Sequence, residues 1–409
     1  MRKEYTNLLV GLDIGTSKVV AAVAELRDDN TLEVVGMGQT ESRGLKKGGV
    51  VNIEATVQSI QKALEEAELM ADCKIADVYT GISGNHIRSF NSSGMVAIKE
   101  KEVTQADVAR VLETAKAVNI PTDHQILHLI TQEFMIDGQG GVREPIGMSG
   151  MRLETKVHIV TSAISAAQNI IKCVRRCGLE VSDLILQPIA SSLSVLTEDE
   201  KELGAVLIDI GSGTTDIAIY SEGAIRHTSV IPIAGDQITN DIAMALRTPT
   251  ADAEEIKIRY GLAKQVLADP GELIEVNGIG DRGPRSLSRQ ALAAVIEPRV
   301  EELLSLVHQV VRESGYEEIL SSGIVLTGGT AQMAGMVELA EDIFLKPARV
   351  GLPDYQGNLY EVMCNPRYST VMGLLLEARA QNIQGEKASA RSAQGKWLAR
   401  IKDWFFSNF

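Results

Sequence analysis

The sequence predicts an α/β protein of two similar lobes, with a small α+β module inserted in the first and an amphipathic helix at the C-terminus. Three observations predict it. A strand, tight turn and strand built around an Asp-Ile-Gly tripeptide occurs twice, at residues 8–26 and 203–220. Around and between the copies, β-branched runs alternate with helical stripes, as in layered α/β lobes. The last 14 residues differ in kind, holding both tryptophans and half the phenylalanines. A duplication about half a chain apart implies two related lobes that present equivalent loops to a shared cleft.

The second copy is the clearer. Its apolar run ends at Asp209, the small residues Gly211, Ser212 and Gly213 allow a tight turn, and a new β run starts at Asp216. Consecutive backbone N–H groups in such a turn form an anion-binding concavity, to which Ser212, Thr214 and Thr215 add hydroxyl donors. Asp209 then faces a phosphate-bound cation rather than the phosphate. An isolated motif of this kind is equally an ordinary hairpin turn; its recurrence decides for phosphate. The first copy has Asp13, Gly15, Thr16 and Ser17 in the same layout, and Lys18 brings a point charge. A dinucleotide fingerprint is excluded because residues 217–220 read as strand, not helix, and no Gly-Lys-Ser/Thr stands at P-loop spacing. A third element, the buried run 322–327 ending in Gly328, Gly329 and Thr330, leads toward a helix from Ala331. Paired glycines let backbone approach a flat ligand, which suits the nucleoside end of ATP, while the same residues also make a plain βα turn.

Composition narrows the classes. A chain of 409 residues, 44% apolar, has room for two to four compact units. A net charge of −14 excludes nucleic acid as main partner, since phosphate neutralisation needs a basic face. Four cysteines make no disulfide framework, in keeping with a reducing cytoplasm; Cys173 and Cys177 read as packing or surface thiols. Six scattered histidines offer no metal site, His124 and His128 being surface or strand residues. The N-terminus lacks a secretory apolar core and no 18 apolar residues run together, so neither export by that route nor a membrane span is expected.

Along the chain, residues 31–37 read as strand, 56–71 as helix and 78–82 as strand. From about Gly84 to Ser162 the character changes: Thr104 caps a helix running to Val118, and strands 125–136 and 151–161 flank a loop. The first lobe resumes with a helix from Ala163 stopped by Gly178, then a strand to Leu186, and Gln187 enters the next helix. After the second hairpin come a strand at 226–233 and helices opening at Gly235 and Ala253. Glu254 and Lys257 on the latter stand either at a ligand or on a solvated face. Arg282, Arg285, Arg289 and Arg299 give a local positive balance that receives an acidic peptide or faces water. Pro298 suits a first helical turn, before a stripe of Val300, Leu303, Leu304, Val307, Val310 and Val311. A last body helix contains Gly373; beyond Arg379 the pattern dissolves, and residues 381–395 read as a flexible linker.

In the tail, 396–409, Trp397, Leu398, Ile401, Trp404, Phe405 and Phe409 share one helical face, flanked by Arg400 and Lys402. From Arg391 onward the charge is +3, against −17 for the rest. A terminal helix docked on its own body is the competing reading, but the linker and flanking cations favour an anionic bilayer surface.

The order of two Asp-Ile-Gly hairpins and Thr327-Gly328-Gly329 resembles the actin, sugar kinase and heat-shock ATPase superfamily, and the whole chain, tail included, resembles the FtsA family of actin-like bacterial cell-division proteins. The resemblance implies an actin-like two-lobe ATPase fold. It places subdomain 1A at 1–83 and 163–199, the inserted 1C at 84–162, 2A at 200–238 and 306–380, and 2B at 239–305. It implies ATP and Mg²⁺ between the hairpins, Asp13 and Asp209 holding the ion through waters, and Glu254 and Lys257 reaching ribose and base. Gln187 would orient the attacking water, in an ATPase that is slow at most. By the same resemblance Arg285, Arg289 and Arg299 dock the C-terminal tail of FtsZ, and 1C contacts neighbouring subunits and later division proteins. The protein would form filaments with itself on the inner face of the cytoplasmic membrane at the division site. A cytoplasmic pilus scaffold of the PilM type shares the insertion but not the tail. A sugar or acetate kinase needs an acceptor pocket with a catalytic Asp, and an MreB-type filament lacks the insertion.

Overall fold

The computed structural model describes residues 7–280 and 283–391, with side chains described to residue 383. Strands β1 (Leu8–Ile14), β2 (Lys18–Leu26) and β3 (Leu32–Glu41) form an antiparallel meander. A short hairpin, β4 (Leu45–Lys46) and β5 (Gly49–Val50), leads to α1 (Ile53–Ala71), and β6 (Asp77–Ile82) joins parallel to β1. Helix α1 starts where the Asn52 side chain accepts the Ala55 N–H and ends at left-handed Asp72. Its stripe of Val57, Ile60, Leu64 and Ala67 is buried under the sheet.

The inserted module comprises β7 (Arg88–Ala97), α2 (Gln105–Lys116), β8 (His124–Ile136), β9 (Gln139–Val142) and β10 (Arg152–Ala163), in sheet order β7-β10-β8-β9. Thr104 and Asp107 form the capping box that opens α2. The chain then returns to the first lobe through α3 (Ile164–Arg176), β11 (Glu180–Leu186), α4 (Gln187–Val195) and α5 (Glu198–Leu203). The first-lobe sheet has the order β11-β6-β1-β2-β3.

The second lobe repeats the plan. An antiparallel meander of β12 (Ala205–Ile210), β13 (Thr215–Ser221) and β14 (Ala224–Ile231) precedes α6 (Gly235–Leu246), α7 (Thr250–Tyr260), a ribbon of β15 (Leu273–Val276) and β16 (Arg285–Ser288), and α8 (Arg289–Glu313). Then β17 (Gly323–Thr327) joins parallel to β12, as β6 joined β1. After α9 (Met336–Phe344) and β18 (Ala348–Val350) the sheet order is β14-β13-β12-β17-β18. A short α10 (Tyr360–Met363) leads to α11 (Ser369–Arg391), which packs on β1 and crosses α4. At the crossing, a Cβ on Gly373 would overlap the carbonyl of Ala190, so only glycine lets the helices approach this closely.

Four sequence readings change. Helix α8 begins at Arg289, capped by Ser288, and buries Leu292, Ala293 and Ile296 ahead of the predicted stripe; Pro298 lies inside the helix, not in its first turn. The loop between the long module strands contains β9. Beyond Gly329 the chain makes one 3-10 turn at Thr330–Gln332, and the α-helix waits until Met336, after Gly335 takes a positive φ. Helix α11 continues to Arg391 through residues expected to form a linker, with Gln381 bonded to Asp183 and Glu377 and alanines to sustain it.

Candidate functional site

The two hairpin turns meet. Gly15 N–H donates to the Lys18 carbonyl and Gly211 N–H to the Thr214 carbonyl, both at 3.0 Å, so the repeated sequence closes the same turn twice. A Cβ on Gly213 would lie 2.5 Å from Thr16 Oγ1, which places the loops in contact across the lobes. Between them opens a cleft of about 430 Å³, within the usual range for small-ligand sites. Its lining includes Asp13, Gly15, Thr16, Ser17, Lys18, Gln187, Asp209, Gly211, Ser212, Gly213, Thr214, Glu254, Lys257, Gly328, Gly329 and Thr330. Thr215 is the correction: it is fully buried and its hydroxyl donates to the Ile233 carbonyl, because alternation along β13 turns it from the cleft.

The third element is tied to the second hairpin. Thr330 Oγ1 donates to the Gly211 carbonyl at 2.7 Å, and Gly328, at φ +89°, brings backbone against Asp209. From α7, Lys257 Nζ reaches the Gly235 carbonyl, Thr239 and Glu254 at the cleft edge, the last at 2.7 Å. Glu254 and Lys257 therefore face the cleft rather than open solvent.

The electrostatics call for a cation. Asp13 accepts from Lys18 at 3.5 Å and from Gln187 Nε2 at 3.2 Å; Asp209 accepts from Ser191 at 2.5 Å and from Thr370. Burial, reinforced by Asp13, pushes the Asp209 carboxyl up to about 6. Asp216, facing Asp209 across the β12–β13 pair, is pushed up to about 7 by burial and then by Asp209's charge. Ser83 of the first lobe and Thr214 donate to it. Among the described residues no three metal-ligating side chains stand together. An ion at Asp13 and Asp209 would therefore take most of its shell from water and phosphate, the habit of Mg²⁺. Ser212 Oγ is buried without a hydrogen-bond partner among the described residues, so an anion between the turns would satisfy it. The residues present fit a metal-bound polyphosphate.

Asp216, Ser83, Ser191, Thr370 and Arg367 were missed by sequence reasoning. The signal for Asp216 was its register: in a hairpin closing at Gly211–Thr214 it must face Asp209.

The predicted arginine patch is dispersed and engaged. Arg285 donates to the Leu246 carbonyl; Arg289 donates to the Tyr260 carbonyl and to Glu272; Arg299 pairs with Asp241 and Glu302. Arg282 lies outside the described residues, as do the tail residues Trp397, Leu398, Arg400, Ile401, Lys402, Trp404, Phe405 and Phe409. Among the described residues no helix is long and apolar enough to cross a membrane.

Comparison with known proteins agrees with this architecture. Residues 206–373 match the family model for cell division protein FtsA, and residues 84–161 match the SHS2 domain inserted in that family. Cell division protein FtsA of Pseudomonas aeruginosa is 60% identical over 98% of each chain. That of Neisseria meningitidis is 53% identical, covering 97% of this chain and 98% of its own. That of Escherichia coli is 46% identical over 98% of each. Among solved structures, the PilM-PilN type IV pilus biogenesis complex superposes with TM-score 0.66 at 16% identity, covering 93% of this chain and 99% of the other. MreB5 of Spiroplasma citri bound to ADP does so with TM-score 0.55 at 17% identity, covering 95% and 100%. These two likenesses show an actin-like fold.

Proposed function

This chain belongs to the FtsA family of cell division proteins, and from that premise we propose that it binds Mg·ATP between its lobes, polymerises in that state, and anchors the FtsZ ring to the inner face of the cytoplasmic membrane. The observation that carries the reading is the contact of the two phosphate-type turns at one cleft, with Ser212 Oγ left for an anion and Asp13 and Asp209 for a cation. Bound Mg·ATP supplies a phosphoanhydride and a divalent charge. The chain's own residues do the rest: the turns cradle phosphate, Lys18 sets a charge beside Asp13, and Glu254 and Lys257 border the nucleoside end. Gln187, already donating to Asp13, orients water, and hydrolysis is slow.

The tail, by its aromatic face and flanking cations, holds the filament to lipid, and many weak tails act together once subunits assemble. For the FtsZ tail, support comes from a shallow hollow between α6 and α8 where exposed Met244 adjoins Pro298 and Arg299. An acidic peptide there would share Arg299 with Asp241 and Glu302. The inserted module is the surface for later division proteins and neighbouring subunits. A cytoplasmic scaffold like the pilus protein keeps the fold and module without needing the tail, so one experiment separates them. The full chain and a deletion of residues 395–409 are compared for liposome pelleting and ATP binding. Pelleting is lost and ATP binding kept on the proposal; retained pelleting overturns the anchor, and absent ATP binding overturns the cleft.

A further inference from the structure

We infer that Arg367 is a clamp on the phosphate chain of the bound nucleotide, an inference that rests on the nucleotide reading of the cleft and adds a residue to it. Three cations line the cleft among the described residues: Lys18, Lys257 and Arg367. Lys18 is spent on Asp13 at 3.5 Å, and Lys257 on Glu254 at 2.7 Å and on Thr239 and the Gly235 carbonyl. Arg367 forms no ion pair among the described residues. Four carboxylates, Asp13, Asp209, Asp216 and Glu254, line the same space. With Asp13 and Glu254 paired to the two lysines, a polyphosphate entering the space meets the charge carried by Asp209 and Asp216, and Arg367 is the cation whose charge is not already compensated.

The backbone that carries Arg367 is fixed on both sides. Asn365 Oδ1 accepts the Arg367 N–H at 3.0 Å, and Pro366 is buried. Tyr368 donates to Gln39 at 2.9 Å, and Lys18 Nζ sits 5.5 Å above its ring, so the next residue along the chain already touches the phosphate-side lysine. Thr370, one turn further, reaches Asp209. The arginine stem lies against Gly329, whose added Cβ would sit 3.5 Å from Arg367 Cγ. The residue thus stands in the 3-10 turn just ahead of α11, its stem touches the second lobe's glycine loop, and it is exposed where it lines the cleft. A planar guanidinium in that position makes two parallel bonds to phosphate oxygens, and its rooted stem reduces what must be ordered on binding.

The test titrates ATP, ADP and adenosine, with Mg²⁺, into the full chain and into Arg367→Ala, Arg367→Gln and Arg367→Lys, at low and physiological salt. Arg367→Ala and Arg367→Gln each weaken ATP about tenfold, the loss of one charge-assisted contact, leave adenosine unchanged and flatten the salt dependence. Arg367→Lys recovers part of the loss. ATP affinity within twofold of the parent in both neutral variants overturns the inference. An equal loss for adenosine also overturns it, since the side chain would then act on the base or on the fold. A parent chain that binds none of the three overturns the nucleotide reading itself, a distinct result.

Discussion

Replacing Asp216 with asparagine isolates one buried charge and the pH dependence it imposes. The carboxyl is 4% exposed, receives hydrogen bonds from Ser83 and Thr214, and faces Asp209 across the hairpin. Burial first, and Asp209 second, raise it from 3.8 to about 7. The folded protein therefore keeps a proton that the unfolded chain has released, and stability is lost as pH rises from about 4 through 7. At about 1.4 kcal/mol per pH unit, a rise of about three units amounts to about 4 kcal/mol by pH 8. Asparagine has the same shape and never ionises, and both hydroxyls can turn to serve an amide. On the same linkage, Asp216→Asn should exceed the parent by about 1 kcal/mol at pH 4.5 and by about 4 kcal/mol at pH 8, without nucleotide or Mg²⁺. Urea unfolding followed by far-UV circular dichroism between pH 4.5 and 8.5 measures the difference. Curves that stay parallel over that range would refute the reasoning, whatever their offset.

Three further outcomes are expected. Ser83→Ala removes a donor that holds Asp216's pKa down, so the pH at which Mg·ATP binding reaches half its plateau should move upward, by less than a unit for a hydrogen bond of about 1 kcal/mol; an unmoved midpoint counts against the Ser83 contact. His158, fully buried between Asn91 and Thr228, is held down at about 3 by burial, so its contribution is complete above 6.5 and lost as pH falls toward 3. Protection factors at β7 and β10, corrected for the fall of the intrinsic exchange rate with pH, should drop on acidification from pH 6.5 to 4.5 in the parent, and less steeply in His158→Gln. Gly373→Val drives a side chain into the α4 backbone and should cost more than about 3 kcal/mol, read as a large fall in unfolding temperature; a parent-like temperature would mean the helices do not cross there.

The hairpins were legible because their cause is local: a turn closed from Gly211 to Thr214 needs only the residues within it. The same holds for α2, whose cap is Thr104, whereas α1 begins at Ile53 behind Asn52, ahead of the Thr56 start that its apolar stripe suggests. What escaped depends on residues distant in sequence. Strand β7 reads as polar and was not seen, because Ser89 and Asn91 are bonded to the Thr228 and Arg226 carbonyls of the second lobe rather than to water. Gly94 on the same strand marks where α2 lies against it. The arginines read as a free patch because their partners Asp241 and Glu272 stand on other elements. Pro298 misled through a sound preference for first turns, overridden by a buried stripe that begins at Leu292.

Those distant contacts also explain how the inserted module is joined to the cleft. Ser83 is the residue from which the module departs, and it donates to Asp216 across the lobes. Asp216 pairs with Val230 on β14, the strand whose carbonyls at Ile225, Arg226 and Thr228 accept from Gln132, Asn91 and Ser89 of the module. The module is therefore fastened to the second lobe at two places, and one of them shares a carboxyl with the cleft. A divalent ion that favours ionised carboxylates stabilises the charged form of Asp216, which strengthens the Ser83 bond by making it charge-assisted. Acidification reaches the two places at different pH: it neutralises Asp216 through about 7, while His158, held down at about 3, stays neutral well below that. The polar seam that hid β7 from the sequence thus joins the module to the strand that pairs with the one carrying the cleft carboxyl Asp216.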